Sequence, residues 1–290
     1  MQSTLRVAAA VLAALPIAVL SVASQPRAAG EAAESTDPGD RQDPDLTQLI
    51  AALAEGGVDF DPAAGHASIE ARVATRDDLL EFFLTGPSGS GYESLFSTEA
   101  DALILNAAFL ALGLEQGQNA RWVRREGTEE PELEREEGAE QEPVGPGELG
   151  ARPPGYDVLP PEGPGLLIYV GWREGDETYF FRAEDLIADL ERQRPLTRHR
   201  WVFLGSRMVD SNDGEVFVAA MEQNYVNIAW FAEGNTLLTA ARPECERQDI
   251  WVGNPWLVPE PDTPVRIFFS LEPLTGVAAE LEARLPITVR

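Results

Sequence analysis

A chain of 290 residues with formal net charge −27 and one cysteine is bounded before any motif is read. So negative a surface repels phosphate backbones and anionic headgroups, which excludes nucleic-acid binding and polybasic docking on a membrane. One thiol forms no internal disulfide, so stability has to come from a packed core. Every basic side chain is an Arg. In an Ala-, Gly- and Pro-rich chain this fits either GC-rich coding or adaptation to a saline medium.

At the N-terminus Arg6 precedes an apolar run over 7–20, followed by Ser21, Ala23 and Ser24. This is the layout of a secretory signal peptide over 1–24, with cleavage expected between Ser24 and Ala29. The run is Ala-rich and broken by Pro16, which makes it a poor membrane span; an uncleaved anchor is the alternative. No Cys lies near the junction for lipid attachment. The expected product is periplasmic or secreted and free of the membrane after cleavage.

Residues 25–42 have too few apolar side chains to fold and read as a disordered acidic spacer. A helix then starts at Asp43 as N-cap with Pro44 in its first turn. Leu46, Leu49, Ile50 and Leu53 share one face, and Gly56-Gly57 ends it. Strands are expected over 67–73, 79–84 and 92–96, a small meander around the 86–91 turn. Thr98 and Asp101 predict a capping box for the most apolar helix of the chain. Its Leu103, Ile104, Ala107, Ala108, Leu110 and Ala111 imply burial against the meander before Gly113, with Asn106 as a satisfied amide. Residues 43–125 thus form the first part of a domain.

Composition shifts after Trp122. Residues 126–150 hold ten Glu against one Arg, and the whole of 126–164 reads as an acidic Glu/Pro/Gly-rich insertion, disordered and dispensable for folding. A flexible Glu run lacks the fixed geometry of a selective cation site, so no metal is expected. The second part, 165–273, is β-rich. A hairpin is predicted from 166–172 and 177–182 about Gly175-Asp176, a short helix over 184–190, and strands over 201–204, 215–220, 225–231, 249–252 and 265–271. Residues 210–214 superficially resemble a calcium loop, but the Gly comes one residue early and the distal Glu is absent, so Asp213-Gly214 reads as a turn. The tail, 274–290, has the pattern of a short helix. Neither part suffices for a core alone. The expected fold class is therefore α+β: short antiparallel strands in one or two small sheets packed on one buried helix, with the disordered acidic insertion between.

Candidate chemistry is sparse. The two histidines, His66 and His199, read as surface residues, the second flanked by Arg198 and Arg200, which disfavour its protonation. Cys245 lies between Glu244 and Glu246, which should raise its thiol pKa rather than activate it. Nucleophile elbow, phosphate loop, zinc helix and dinucleotide fingerprint are all missing from the sequence. No cofactor is expected.

One stretch is more specific: Tyr92-Glu93-Ser94-Leu95-Phe96-Ser97-Thr98-Glu99-Ala100-Asp101, continuing through 107–117. Downstream lie 201–206, the apolar run 225–231, Trp251, Asn254, and Pro259 leading to Thr263-Pro264-Val265. Together these resemble the YdjY-domain family of exported envelope proteins, over most of 58–271. The resemblance implies no settled activity. Where other members carry His before Glu-Ser-Leu, this chain has Tyr92, and cluster-binding roles attached to some members fail for want of thiolates. The resemblance and the residue types select Tyr92, Glu93, Ser94, Ser206 and Glu222 as binding candidates, with no catalytic residue. The expected function is an exported, non-catalytic envelope module that binds a protein partner or small ligand. The alternative is a carboxylate-based hydrolase or transferase using Glu93 with Ser94 or Ser206.

Overall fold

A computed structural model describes residues 44–125, 155–211, 214–231, 233–274 and 279–288. The expected signal peptide, the spacer, the Asp43 cap, Asp213 of the 213–214 turn and residues 126–154 of the acidic insertion lie outside these residues. The rest of that insertion, 155–164, includes a strand over 156–159 paired with 121–124.

The chain opens with α1 (Pro44–Glu55), β1 (Val58–Asp61), β2 (His66–Val73), β3 (Phe82–Thr85), β4 (Ser94–Ser97) and α2 (Ala102–Ala111). After β5 (Arg121–Arg124) come β6 (Tyr156–Leu159), β7 (Gly165–Glu174), β8 (Glu177–Arg182), β9 (Ile187–Asp189), β10 (Arg194–Pro195), β11 (Trp201–Phe203), β12 (Met208–Ser211) and β13 (Gly214–Phe217). The remainder is α3 (Val218–Glu222), β14 (Asn224–Asn227), β15 (Leu238–Thr239), β16 (Trp251–Gly253), β17 (Pro264–Ser270), α4 (Ala279–Glu282) and β18 (Ile287–Thr288).

Eight of these strands close into a barrel, in the ring order β2, β17, β7, β11, β15, β14, β3, β4. The ring is sealed where β4 returns to β2, pairing Ser97 with Arg72 and Phe96 with Val73. Within the ring, β14–β15 and β3–β4 are parallel and the remaining pairs antiparallel. Strand β1 extends β2, while β8 and β18 add to β7.

The α+β expectation is therefore corrected: the protein is mostly β, a closed barrel with extra strands, rather than small sheets resting on one helix. Ring closure depends on partners remote in the chain, such as Ile267 of β17 opposite Ile69 of β2, and local periodicity carries no trace of them. A second reason is burial. Leu166, Ile168, Val170 and Trp172 of β7 enter the main core, while the alternate Leu167 and Tyr169 join Phe268 and Leu285 in a second cluster. A strand covered on both faces reads as an unbroken apolar run, not as the alternation of a half-exposed sheet.

Helix α2 contributes to this core without being its platform. Phe109 lies edge-on to Phe203 of β11 and Phe269 of β17, at 5.9 and 5.0 Å, and so bridges the two strands that flank β7. The predicted capping box resolves differently. Asp101 is the N-cap, accepting from Leu103 N and Ile104 N through Oδ1 at 2.8 and 3.0 Å. Thr98 instead donates to Glu70 O at 2.6 Å, tying the helix start to β2.

Several local expectations also shift. Residues 184–190 form a 3-10 turn (Ala183–Leu186) followed by β9 rather than a helix. The strand expected over 215–220 ends at Phe217, where α3 begins. The run 225–231 is extended only to Asn227, after which Ile228 N and Ala229 N both donate to Glu81 O. Beside the barrel lies a separate three-stranded sheet in the order β10-β9-β16.

Candidate functional site

The small sheet builds a groove. Period-two alternation does the placing. Ile187 of β9 and Trp251 of β16 turn into the main core, while their neighbours Ala188 and Val252, paired across the strands, form the groove floor. Arg194 and Pro195 of β10 make one wall and Arg76 and Asp77 the other, around a cavity of about 460 Å³. That lies within the ~300–1,000 Å³ common for small-ligand pockets.

Three close contacts fix this geometry. Gly253 N donates to Arg76 O at 3.0 Å, and a Cβ on Gly253 would meet the Arg76 Cα and O at 2.8 Å, so the far wall approaches only because position 253 is glycine. Leu80 N donates to Trp251 O at 2.9 Å, which lays residues 76–80 along the outer edge of β16. At the other end Asp189 closes the β9–β10 turn, accepting from Glu191 N and Arg192 N through Oδ1 and from the Arg192 guanidinium through Oδ2. Burial pushes the Asp189 carboxyl up, but these hydrogen bonds outweigh it and hold it below the usual carboxylate range.

The groove ends at an indole. Trp256 is 91 % exposed, and Leu190 across the cavity is exposed as well. The loop that carries Trp256 is nevertheless stiff. Asn254 donates through N to Leu186 O and through Nδ2 to Asp185 O, and its own O accepts from Leu257 N and Val258 N. Its Oδ1 accepts Trp256 N at 3.2 Å. Arg76 then clamps the far end of the loop through Val258 O at 3.2 Å and Glu260 at 2.8 Å. Each charged side chain lining the groove has an opposite charge against it: Arg76 has Glu260 and Asp77, Arg194 has Glu244 at 3.6 Å, and Asp189 has Arg192.

The candidates read from sequence fall in two other places, at opposite ends of β3. Tyr92 is 71 % exposed, and Glu93 precedes β4 beside Glu81, whose carboxyl is raised by burial and by Glu93. Ser94 opens β4 opposite Phe82 and is buried, its hydroxyl donating to Phe96 O at 2.8 Å. At the other end Ser206 and Glu222 meet through Asn235. The Ser206 hydroxyl donates to Asn235 O at 3.0 Å, and Asn235 Nδ2 donates to Glu222 at 2.6 Å. The same Ser206 hydroxyl accepts Ala219 N in the first turn of α3, which accounts for a serine held at φ 56° after Gly205. Glu93 does not cap α2, since Asp101 does. The two residues after Glu93 do run behind the groove: residues 74 and 75 bond to Leu95 O and Ser94 O, one step before Arg76.

The two histidine side chains and the one thiol are buried. The expectation that both histidines are surface residues is corrected. His66 is buried in β2 near Phe268, and the His199 ring packs on Trp201 at 5.0 Å with Nδ1 bonded to Thr197 O. Its neighbours Arg198 and Arg200 turn outward, as period two requires. Cys245 is fully buried, and burial together with Glu244 raises its thiol well above the ordinary value. Among the described residues no group of three or more His, Cys, Asp or Glu is placed to hold a metal, and no helix is long and apolar enough to cross a membrane.

Trp256, Leu190, Arg76 and Asp189 were not singled out by sequence. The available signal was Asn254-Pro255-Trp256, a turn dipeptide followed by a large aromatic. Comparison with family models, with curated proteins and with solved structures finds no match to this chain.

Proposed function

We propose that this chain is a non-catalytic binding module whose ligand lies in the groove ending at Trp256. The observation that carries the reading is a fully presented indole on a loop held by backbone and side-chain bonds from Asn254 and Arg76. A stiff loop has little left to lose on binding, so the exposed apolar surface it presents is preorganised for contact. Export to the cell envelope, led by the apolar run at 7–20, and kinship with YdjY-domain proteins belong to the same proposal. Of the residues that resemble that family, Asn254 anchors the groove loop and Ser94 and Leu95 back the segment leading to Arg76.

The carboxylate hydrolase alternative gains no support from this geometry. Ser94 and Ser206 both spend their hydroxyls on backbone carbonyls, and Glu93 and Ser206 lie at opposite ends of β3. To test the binding reading, wild-type and Trp256→Ala protein are passed through the same native envelope extract and the retained compounds compared by mass spectrometry. A compound held by wild type and lost from Trp256→Ala is expected. Identical retention by both proteins rejects the groove.

A further inference from the structure

We infer that the ligand class of this groove is a neutral saccharide chain, stacked on Trp256; the inference rests on the groove being the binding site. Three observations select that chemistry. First, each charge lining the cavity has an opposite charge against it, Arg76 with Asp77 and Glu260, Arg194 with Glu244 at 3.6 Å and Asp189 with Arg192 at 2.8 Å. No unpaired charge is left there to select a charged ligand, and a net charge of −27 repels an anionic one. The guanidinium groups of Arg76 and Arg194 on the two walls equally disfavour a cation over the indole face.

Second, the lining is amphipathic in the way a sugar ring is. Trp256, Leu190 and Val252 offer apolar surface, while the exposed Gln193 and Arg194 carry planar amide and guanidinium groups that hydrogen-bond in a plane. A pyranose presents an apolar face of C–H bonds and an edge of hydroxyls, so one ring satisfies both kinds of wall. Third, Trp256 stands 91 % exposed with its backbone fixed, which gives a flat platform that costs little further ordering when a ring stacks on it. The cavity is open to solvent rather than enclosed, so a chain with one ring seated there can run on past the groove, whereas a compact metabolite seeks enclosure.

The test is isothermal titration calorimetry of the full chain with cellohexaose, maltohexaose and chitohexaose. Hexagalacturonate serves as the anionic counterpart and a proline-rich decapeptide as the competing extended ligand. At least one neutral hexasaccharide is expected to bind saturably at one site, with hexagalacturonate at least tenfold weaker. Trp256→Ala should weaken that binding at least tenfold, and Trp256→Tyr, which keeps a stacking face, should restore most of it. Trp256-dependent binding of the peptide alone overturns the saccharide class and leaves the groove reading standing. Saccharide binding that is indifferent to Trp256→Ala overturns both. No binding by any neutral hexasaccharide overturns the inference directly.

Discussion

The barrel and the small sheet beside it use the same strand chemistry to opposite ends. In the barrel, β7 is covered on both faces, and even the cation Arg266 of β17 is matched: it donates to Arg284 O at 3.0 Å, to Ser68 at 3.2 Å and to Glu70 at 3.1 Å, and pairs with Asp59. A buried guanidinium with every nitrogen engaged adds definition to the wall and leaves nothing over for a ligand. In the small sheet only one face, Ile187 and Trp251, is committed to the core, and the other, Ala188 and Val252, is the floor of an open groove. On the proposed reading, stability belongs to the ring and recognition to the small sheet, the flap beside it. Substitutions that distinguish the two should therefore separate unfolding from binding.

The largest effect is expected in the barrel. Phe109→Ala removes the ring that spans Phe203 and Phe269 and should cost about 3–5 kcal/mol, read as a fall in the denaturant midpoint. A loss below about 1 kcal/mol would show that α2 is peripheral to the core and would remove the basis of the contrast. Next is Gly253→Ala, which forces the Arg76 backbone away from β16. Overpacking of this kind costs about 1–3 kcal/mol. The contrast predicts a local consequence: amide exchange should quicken over residues 76–80 and 251–253 and stay slow in β7 and β17. Uniform acceleration would mean that the flap and the ring unfold as one.

These two positions also show what was legible in the sequence. Helix α1, the core strand β2 and the β7–β8 hairpin follow from apolar spacing, alternation and the Gly175 turn, all of which act within a few residues. Ring closure did not follow, because β2 meets β17 and β4 through partners that no local pattern names. His199 was misread for a different reason. Two flanking arginines suggested exposure, yet Arg198-His199-Arg200-Trp201 is a period-two pattern whose inward members are the histidine and the tryptophan. The groove was the least legible feature, since its walls come from residues near 76, 190 and 254 and its floor from small side chains with no chemistry of their own. Asn254 alone was visible, as one residue of a resemblance.

The two histidines sharpen the comparison through pH, because His66 belongs to the barrel wall and His199 packs on Trp201 beside the turn that leads into the flap. Burial lowers both, against the pull of Asp61 on the first and Glu184 on the second. The unfolded chain, with each imidazole near its ordinary 6.5, then binds more protons than the folded one. Their contribution is complete above 6.5 and is lost as pH falls through that value towards the lower folded pKa. The slope of stability with pH should thus be positive there, by some fraction of the ~1.4 kcal/mol per pH unit that one whole proton carries. Glu81 and Glu222, whose carboxyls are raised chiefly by burial, work in the opposite direction at lower pH. Denaturant titrations from pH 7.5 down to 6 isolate the histidines. His66→Gln and His199→Gln should each flatten the slope, and a flat profile in the wild type would show that neither ring is held neutral by the fold.

The smallest effect on stability, and the most informative one, is expected at Trp256. Its side chain is almost wholly in water, so Trp256→Ala removes little buried surface and should move the unfolding free energy by no more than about 0.5 kcal/mol. Asn254→Ala should behave differently. It deletes the acceptor for Trp256 N and the donor to Asp185 O, and the loop that presents the indole loses its anchor while the indole itself remains. If recognition depends on a preorganised platform, both variants lose ligand, but only Asn254→Ala also lowers stability, by the roughly 1–3 kcal/mol of a part-buried polar contact broken on one side. If the bare indole suffices, Asn254→Ala keeps its affinity despite the softened loop. Measuring unfolding and binding on the same pair of proteins separates the stiffness of the flap from the surface it carries.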